Sequence, residues 1–209
     1  MYILGIHGSP RKNGNTEILL DSFLEGVKSS KINSEKIRLA ELSYQPCIEC
    51  GECEKTGECI LNDDFQELYK KLIKVDFLVI ATPVFFYSHT SYVQAFFERF
   101  QAFWARKYLL NLSHPLHKTP KGILISVGAT KGKKIFESMI RSFKYVLDTI
   151  YGVYIGGLFF RKIEKKGEIL KYPEYLELAK NLGQKLRNIS EEEILKYPEK
   201  IGLIKEISP

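Results

Sequence analysis

The chain has 209 residues, 44% hydrophobic and 27% charged, a composition that suits one globular domain with its own core and contains no apolar run long enough for a membrane span. Its 31 Lys and Arg exceed its 25 Asp and Glu for a formal charge of +6, but the excess is spread in modest clusters (Lys131, Lys133, Lys134; Arg161, Lys162, Lys165, Lys166), the pattern of a solvated surface rather than of a nucleic-acid binder. The first ten residues reach a glycine turn without the basic and apolar stretches of a secretory signal, so a cytoplasmic protein is expected.

Residues 2–7 form an apolar run closed by Gly8-Ser9-Pro10, which predicts a buried strand feeding a tight turn. From Asn15 the pattern becomes helical, with Ile18, Leu19, Phe23, Leu24 and Val27 on one face and Asn15 or Thr16 as the cap. Ile37, Leu39 and Leu42 mark a second strand; after a cysteine loop, Asp63-Asp64 opens a helix through Leu68, Leu72 and Ile73. Phe77 to Ala81 is continuously apolar, as a strand covered on both faces must be, and it ends at Thr82-Pro83. A helix is predicted from Ser91 to Lys107, carrying Phe96, Phe97, Phe100, Phe103 and Trp104 as a core or interface stripe. Then come a strand over 122–127, a helix over 133–150, a strand over 153–160 and a helix over 175–188. Five strands alternating with five helices predict an α/β fold: a flavodoxin-like doubly wound five-stranded parallel sheet with helices on both faces. Residues 1–188 form this domain, and 189–209 read as a C-terminal tail that packs on a partner subunit.

In such a sheet ligands sit beyond the carboxyl ends of the strands, so the loops after strands one, three and four are the candidates. The first is Gly8-Ser9-Pro10-Arg11-Lys12-Asn13-Gly14-Asn15-Thr16. Gly8 and Gly14 let the backbone curl, Ser9, Asn13, Asn15 and Thr16 supply short donors, Arg11 or Lys12 supplies charge, and the next helix aims free N–H groups at the loop: an anion cradle. The Gly-Lys-Ser/Thr of an NTPase loop and the Gly-x-Gly-x-x-Gly of a dinucleotide fold are both missing at this junction, which leaves a terminal phosphomonoester such as that of FMN. This loop resembles the FMN-phosphate loop of the NADPH-dependent FMN reductase-like family. Thr82, Pro83, Val84, Phe85, Phe86 and Tyr87 resemble the family segment that lies along the isoalloxazine ring, and Ser126, Gly128 and Ala129 fall where its third flavin loop follows strand four. Pro83 fixes the chain there, while Val84, Phe85 and Phe86 offer apolar surface to a flat ring or, on the other reading, to the core.

All four cysteines lie in one stretch, Cys47, Cys50, Cys53 and Cys59, spaced C-x2-C-x2-C-x5-C. In a reducing compartment a local set of four thiols binds metal rather than forming disulfides. Successive two-residue gaps resemble the opening of a cluster-binding run, and the compact spacing is similar to that of the iron–sulfur flavoprotein branch of the same family, which implies a [4Fe–4S] cluster near FMN. Zinc, or thiols without metal, stay open, and Glu49, Glu52, Glu54 and Glu58 make the loop unusually acidic for an anionic cluster. His89 and Arg99, downstream of the ring loop, are candidates to steer an anionic acceptor or to bind across a dimer interface.

Two functions follow from the resemblance. One is an electron relay in which a ferredoxin-like donor feeds the cluster and the cluster feeds FMN; the other is an NAD(P)H-dependent reductase of flavins or quinones, with NAD(P)H as co-substrate and no cluster. Either way a homodimer or homotetramer is implied, with no nucleic-acid or membrane partner.

Overall fold

The computed structural model describes residues 1–132, 134–188 and 204–207. Strand β1 (Tyr2–His7) lies between β2 (Asn33–Arg38) and β3 (Phe77–Pro83), and β4 (Lys121–Gly128) and β5 (Val153–Arg161) follow outward, every neighbouring pair parallel. The order 2-1-3-4-5 is the flavodoxin-like one, as the alternation of elements predicts. A short sixth strand, β6 (Ile204–Ile207), extends the sheet beside β5 from within the predicted tail. Residues 189–203 and 208–209 of that tail lie outside the described residues.

Side-chain alternation along the central strands divides the core. Ile3, Phe77, Val79, Ala81, Ile123 and Ile125 meet α1 (Asn15–Val27) and α7 (Pro173–Asn188) on one face. Leu4, Ile6, Leu78, Ile80 and Leu124 meet the opposite layer, built from α3 (Phe65–Lys74), α4 (Ser91–Glu98), α5 (Gln101–Trp104) and α6 (Glu137–Thr149). A one-turn helix, α2 (Glu52–Thr56), lies within the cysteine loop. Helices α1 and α7 approach backbone to backbone: a Cβ on Gly26 would lie 2.0 Å from the Lys180 carbonyl oxygen, and one on Gly183 would lie 2.2 Å from that of Phe23.

Three predicted boundaries move. The second strand runs 33–38, because Leu39 to Glu41 turn into a 3-10 segment that buries Leu39 and because the edge strand carries polar residues such as Lys36. The long helix predicted over 91–107 is broken at Arg99-Phe100 and then tightens and loosens through α5 and a π-turn at Ala105–Leu109. The helix predicted from 133 starts at Glu137. Phe96, Phe97, Phe100 and Phe103 are core residues. Among the described residues no helix is long and apolar enough to cross a membrane.

Candidate cofactor sites

The loop after β1 is braced from both sides. Gly14, not Asn15 or Thr16, is the residue that caps α1: its carbonyl accepts the N–H groups of Glu17 and Ile18, and a Cβ there would press on the Arg11 carbonyl at 3.2 Å. Asn15 opens the helix and spends its side chain on a distant loop, donating to the Lys165 carbonyl at 2.9 Å and accepting the Ile169 N–H at 3.1 Å. What Asn15 offers an anion is therefore its backbone N–H, which, like that of Thr16, has no helical acceptor in the first turn. Ser9 Oγ accepts the Arg11 N–H at 3.2 Å and keeps its own proton to donate; the Arg11 guanidinium reaches the Glu164 carbonyl at 3.3 Å. On the other side Asn13, at φ 53°, donates its N–H to buried Glu17, which also accepts from Arg38 at 2.8 Å and from Lys36 at 3.1 Å. Burial acts to raise the Glu17 carboxyl, but Lys36, the Asn13 N–H and Arg38 outweigh it and hold its pKa at about 2.

Ser9, Arg11, Gly14, Asn15 and Thr16 line one wall of a cleft of about 200 Å³, and Pro83, Val84, Phe85 and Ala129 line the other. Sequence reasoning missed its third side, Ile163, Glu164 and Lys166 after β5; the rule that ligands gather at strand ends would have found it, had the basic cluster at 161–166 not been read as plain surface. Thr82, Ser126 and Gly128 stand behind the wall. Ser126 is buried and donates to the Thr82 carbonyl at 2.7 Å, and the Gly128 carbonyl accepts the Ile163 N–H at 3.2 Å, so these residues hold the loops together. Phe85 and Ser88 exchange both backbone hydrogen bonds, at 2.7 and 2.8 Å, around a two-residue turn in which Phe86 (φ 49°) and Tyr87 (φ 62°) are both left-handed. Neither lines the cleft, and Phe86 is fully exposed, which removes the core reading for it.

Cys47, Cys50, Cys53 and Cys59 line a second cavity of about 60 Å³, together with Tyr69 and Arg99. Burial pushes the Cys53 thiol up, and the other three thiols push it further. Among the described residues no three His, Cys, Asp or Glu side chains converge closely enough for a single metal ion. A cluster that offers a separate iron to each thiolate asks instead that four thiols ring one cavity, and this donor set fits that requirement. Arg99 and His89 are not exposed steering groups. Arg99 is 1% exposed with Nη2 3.5 Å from Cys59 Sγ, and buried His89 sits 3.2 Å from the Ser142 hydroxyl. The signal for Arg99 was present in the sequence, as one cation set within a stripe of buried phenylalanines.

Helix α4 connects the two sites. Its N-cap, Thr90, donates to the carbonyl of Gly8 in the loop after β1, and Arg99, directly after its last residue, reaches Cys59. Eight helical residues span about 12 Å.

Comparison with known proteins agrees with the fold. The sequence matches the NADPH-dependent FMN reductase family over residues 1–152. An iron-sulfur flavoprotein of Methanocaldococcus jannaschii is 28% identical over 202 residues, covering 90% of this chain and 97% of that one. Among solved structures, an NAD(P)H:quinone oxidoreductase from Methanothermobacter marburgensis superposes with a TM-score of 0.69 at 17% identity, over 91% of this chain and 98% of that one, and an archaeal flavodoxin with a TM-score of 0.54 at 11% identity, over 93% and 99%.

Proposed function

The chain belongs to the NADPH-dependent FMN reductase family and is a flavin-dependent oxidoreductase, and from that premise we propose that it relays electrons between a [4Fe–4S] cluster on Cys47, Cys50, Cys53 and Cys59 and FMN in the cleft between the loops after β1, β3 and β5. The observation that supports the relay is the placement of the two sites at opposite ends of one eight-residue helix, a span suited to direct electron transfer. The name of the M. jannaschii relative points the same way.

In this reading the Ser9 and Thr16 hydroxyls, the first-turn N–H groups of α1 and the Arg11 side chain hold the phosphate. Val84 and Phe85 give the ring an apolar wall, and Glu17 keeps Asn13 in the left-handed geometry that shapes the cradle. When bound, FMN supplies one- and two-electron chemistry and the cluster supplies one-electron chemistry. A ferredoxin-type protein is the proposed donor. A homodimer or homotetramer is the proposed assembly, consistent with the half-exposed and exposed aromatics Trp104, Tyr108 and Tyr145 along the groove between α5 and α6.

The test is anaerobic reconstitution of the whole chain with iron and sulfide, followed by metal analysis, visible spectroscopy and stopped-flow mixing with reduced ferredoxin and with NADPH. About four irons and four sulfides per chain, lost in Cys50→Ala while FMN stays bound, is the expected result. No iron uptake together with rapid NADPH reduction of FMN overturns the relay and makes the protein an NAD(P)H-dependent FMN or quinone reductase. Zinc in its place would make the loop structural.

A further inference from the structure

We propose that Arg99 is a positioning residue that raises the reduction potential of a cluster bound in the cysteine loop, by fixing a buried guanidinium against Cys59 Sγ. The inference rests on the cluster reading above.

The geometry leaves Arg99 little freedom. Its Nη1 donates to the Gln45 carbonyl at 3.0 Å and to Asp63 Oδ2 at 2.6 Å, and the remaining arm, Nη2, meets Cys59 Sγ at 3.5 Å. The guanidinium lies 4.7 Å from the centroid of Phe65 and 5.8 Å from that of Tyr69, and the Tyr69 hydroxyl donates to the Arg99 carbonyl at 2.6 Å. Cation and sulfur are thus held together by backbone, carboxylate and two rings.

The acidity of the loop does not cancel this. Glu49 and Glu54 line the cavity but, like Glu58, are exposed, and Glu52 pairs with Lys55 at 2.9 Å, so water and salt screen them. Arg99 is out of water, where its field is weakened far less. Asp63 takes Nη1, which leaves an Nη2 N–H for the sulfur. Reduction adds one electron from an external donor, dithionite in the experiment below; no bond forms or breaks, no proton moves, and the site gains one negative charge. A cation and an N–H donor at a ligating sulfur favour that more negative state, and hydrogen bonding to cluster sulfurs is one of the determinants of such potentials.

The experiment is a dithionite titration of the reconstituted full-length protein followed by electron paramagnetic resonance, in wild type, Arg99→Lys and the double variant Arg99→Met, Asp63→Asn, which removes the cation without stranding the carboxylate. The double variant is expected to keep its iron and sulfide but to lose at least tenfold in the reduction equilibrium, a fall of about 59 mV for one electron. Arg99→Lys keeps the charge but has no second arm to hold Asp63 and Cys59 together, and is expected to fall part of the way. Unmoved midpoints in cluster-loaded variants overturn the role assigned to Arg99, as does loss of iron from a folded double variant. If the double variant does not fold, the lysine variant decides, and an unmoved midpoint in it is again fatal. A wild type that takes up no iron defeats the cluster reading itself, a result distinct from iron uptake with an unmoved midpoint.

Discussion

Glu17 accepts the backbone N–H of Asn13 at 2.6 Å, tying the first turn of α1 back onto the loop that precedes it. Asn13 is left-handed there, and Glu17 is 4% exposed, its charge neutralised by Arg38 and Lys36. A carboxylate so close to an anion cradle would repel phosphate if it stood alone; paired, it acts as a clamp. Glu17→Gln keeps the shape but removes the charge that Arg38 and Lys36 share, leaving Arg38 only Glu41 at 3.2 Å, so the variant is expected to lose about 1.5–3 kcal/mol of stability in urea melts and to bind FMN more weakly. A variant of wild-type stability with wild-type FMN affinity would refute the clamp.

His7, at the carboxyl end of β1, is fully buried and neither ring nitrogen has a hydrogen-bond partner among the described residues. Burial pushes its pKa down to about 4, with the Glu17 charge offsetting part of the effect. Between about pH 6.5 and pH 4 the unfolded chain therefore binds a proton that the folded chain refuses, so stability is full above pH 6.5 and falls as the pH drops through that window. The loss amounts to roughly 3 kcal/mol at most. Urea melts at pH 7, 5.5 and 4.5 measure it. His7→Leu should flatten the profile over this range while leaving the carboxylate-driven loss at lower pH, and an unchanged slope would assign the acid sensitivity to other groups.

The strands were readable because burial on both faces leaves a mark: Phe77 to Ala81 admits no polar residue, and a stretch that uniform has few other places to go. The loop after β1 stood out as a candidate anion cradle because short donors and glycine cluster there, and the structure places Ser9, Arg11, Gly14, Asn15 and Thr16 on one wall of a cleft. What escaped depends on contacts far apart in sequence. Nothing near Asn15 says that its side chain is committed to Ile169, 154 positions away, and nothing near Ile163 says that it closes the cleft. Arg99 had a local cue, its place within a stripe of phenylalanines, but the partners that hold it lie far off in sequence. A cation on a helix is ordinarily solvated, and only the three-way contact with Gln45, Asp63 and Cys59 explains its burial.

If the phosphate sits at the start of α1, the Ser9 and Thr16 hydroxyls donate to it, and both residues are at least 96% buried. Replacing both with Ala removes two hydrogen bonds to a charged acceptor, each worth about 1.5–3 kcal/mol. FMN affinity should drop at least a hundredfold while riboflavin, which has no phosphate, binds nearly as before. Fluorescence titration of both ligands makes the comparison, and equal losses would place the phosphate elsewhere.

The turn at Phe86-Tyr87 carries the clearest backbone strain in the molecule. Two consecutive left-handed residues form a type I′ turn, which ordinarily takes Asn-Gly because a side chain with a Cβ costs about 1–2 kcal/mol in that conformation. Two aromatics occupy it instead, Phe86 fully exposed and Tyr87 with its carbonyl held by the Ser138 hydroxyl. Such strain is retained where the surroundings enforce it and where the side chains serve a purpose, and this turn overhangs the loop assigned to the flavin ring. Changing Phe86-Tyr87 to Asn-Gly should therefore stabilise the fold by about 1–2 kcal/mol in urea melts, since relief of strain outweighs the loss of the fully exposed Phe86 ring and the half-exposed Tyr87 ring. The same change should slow electron transfer to external acceptors with FMN still bound, because only Pro83, Val84 and Phe85 of this segment line the cleft. A variant that is more stable and equally fast would show that the aromatics are dispensable, and one that is less stable would show that they are packed against a partner subunit, a result that light scattering on the same samples would register as a change in mass.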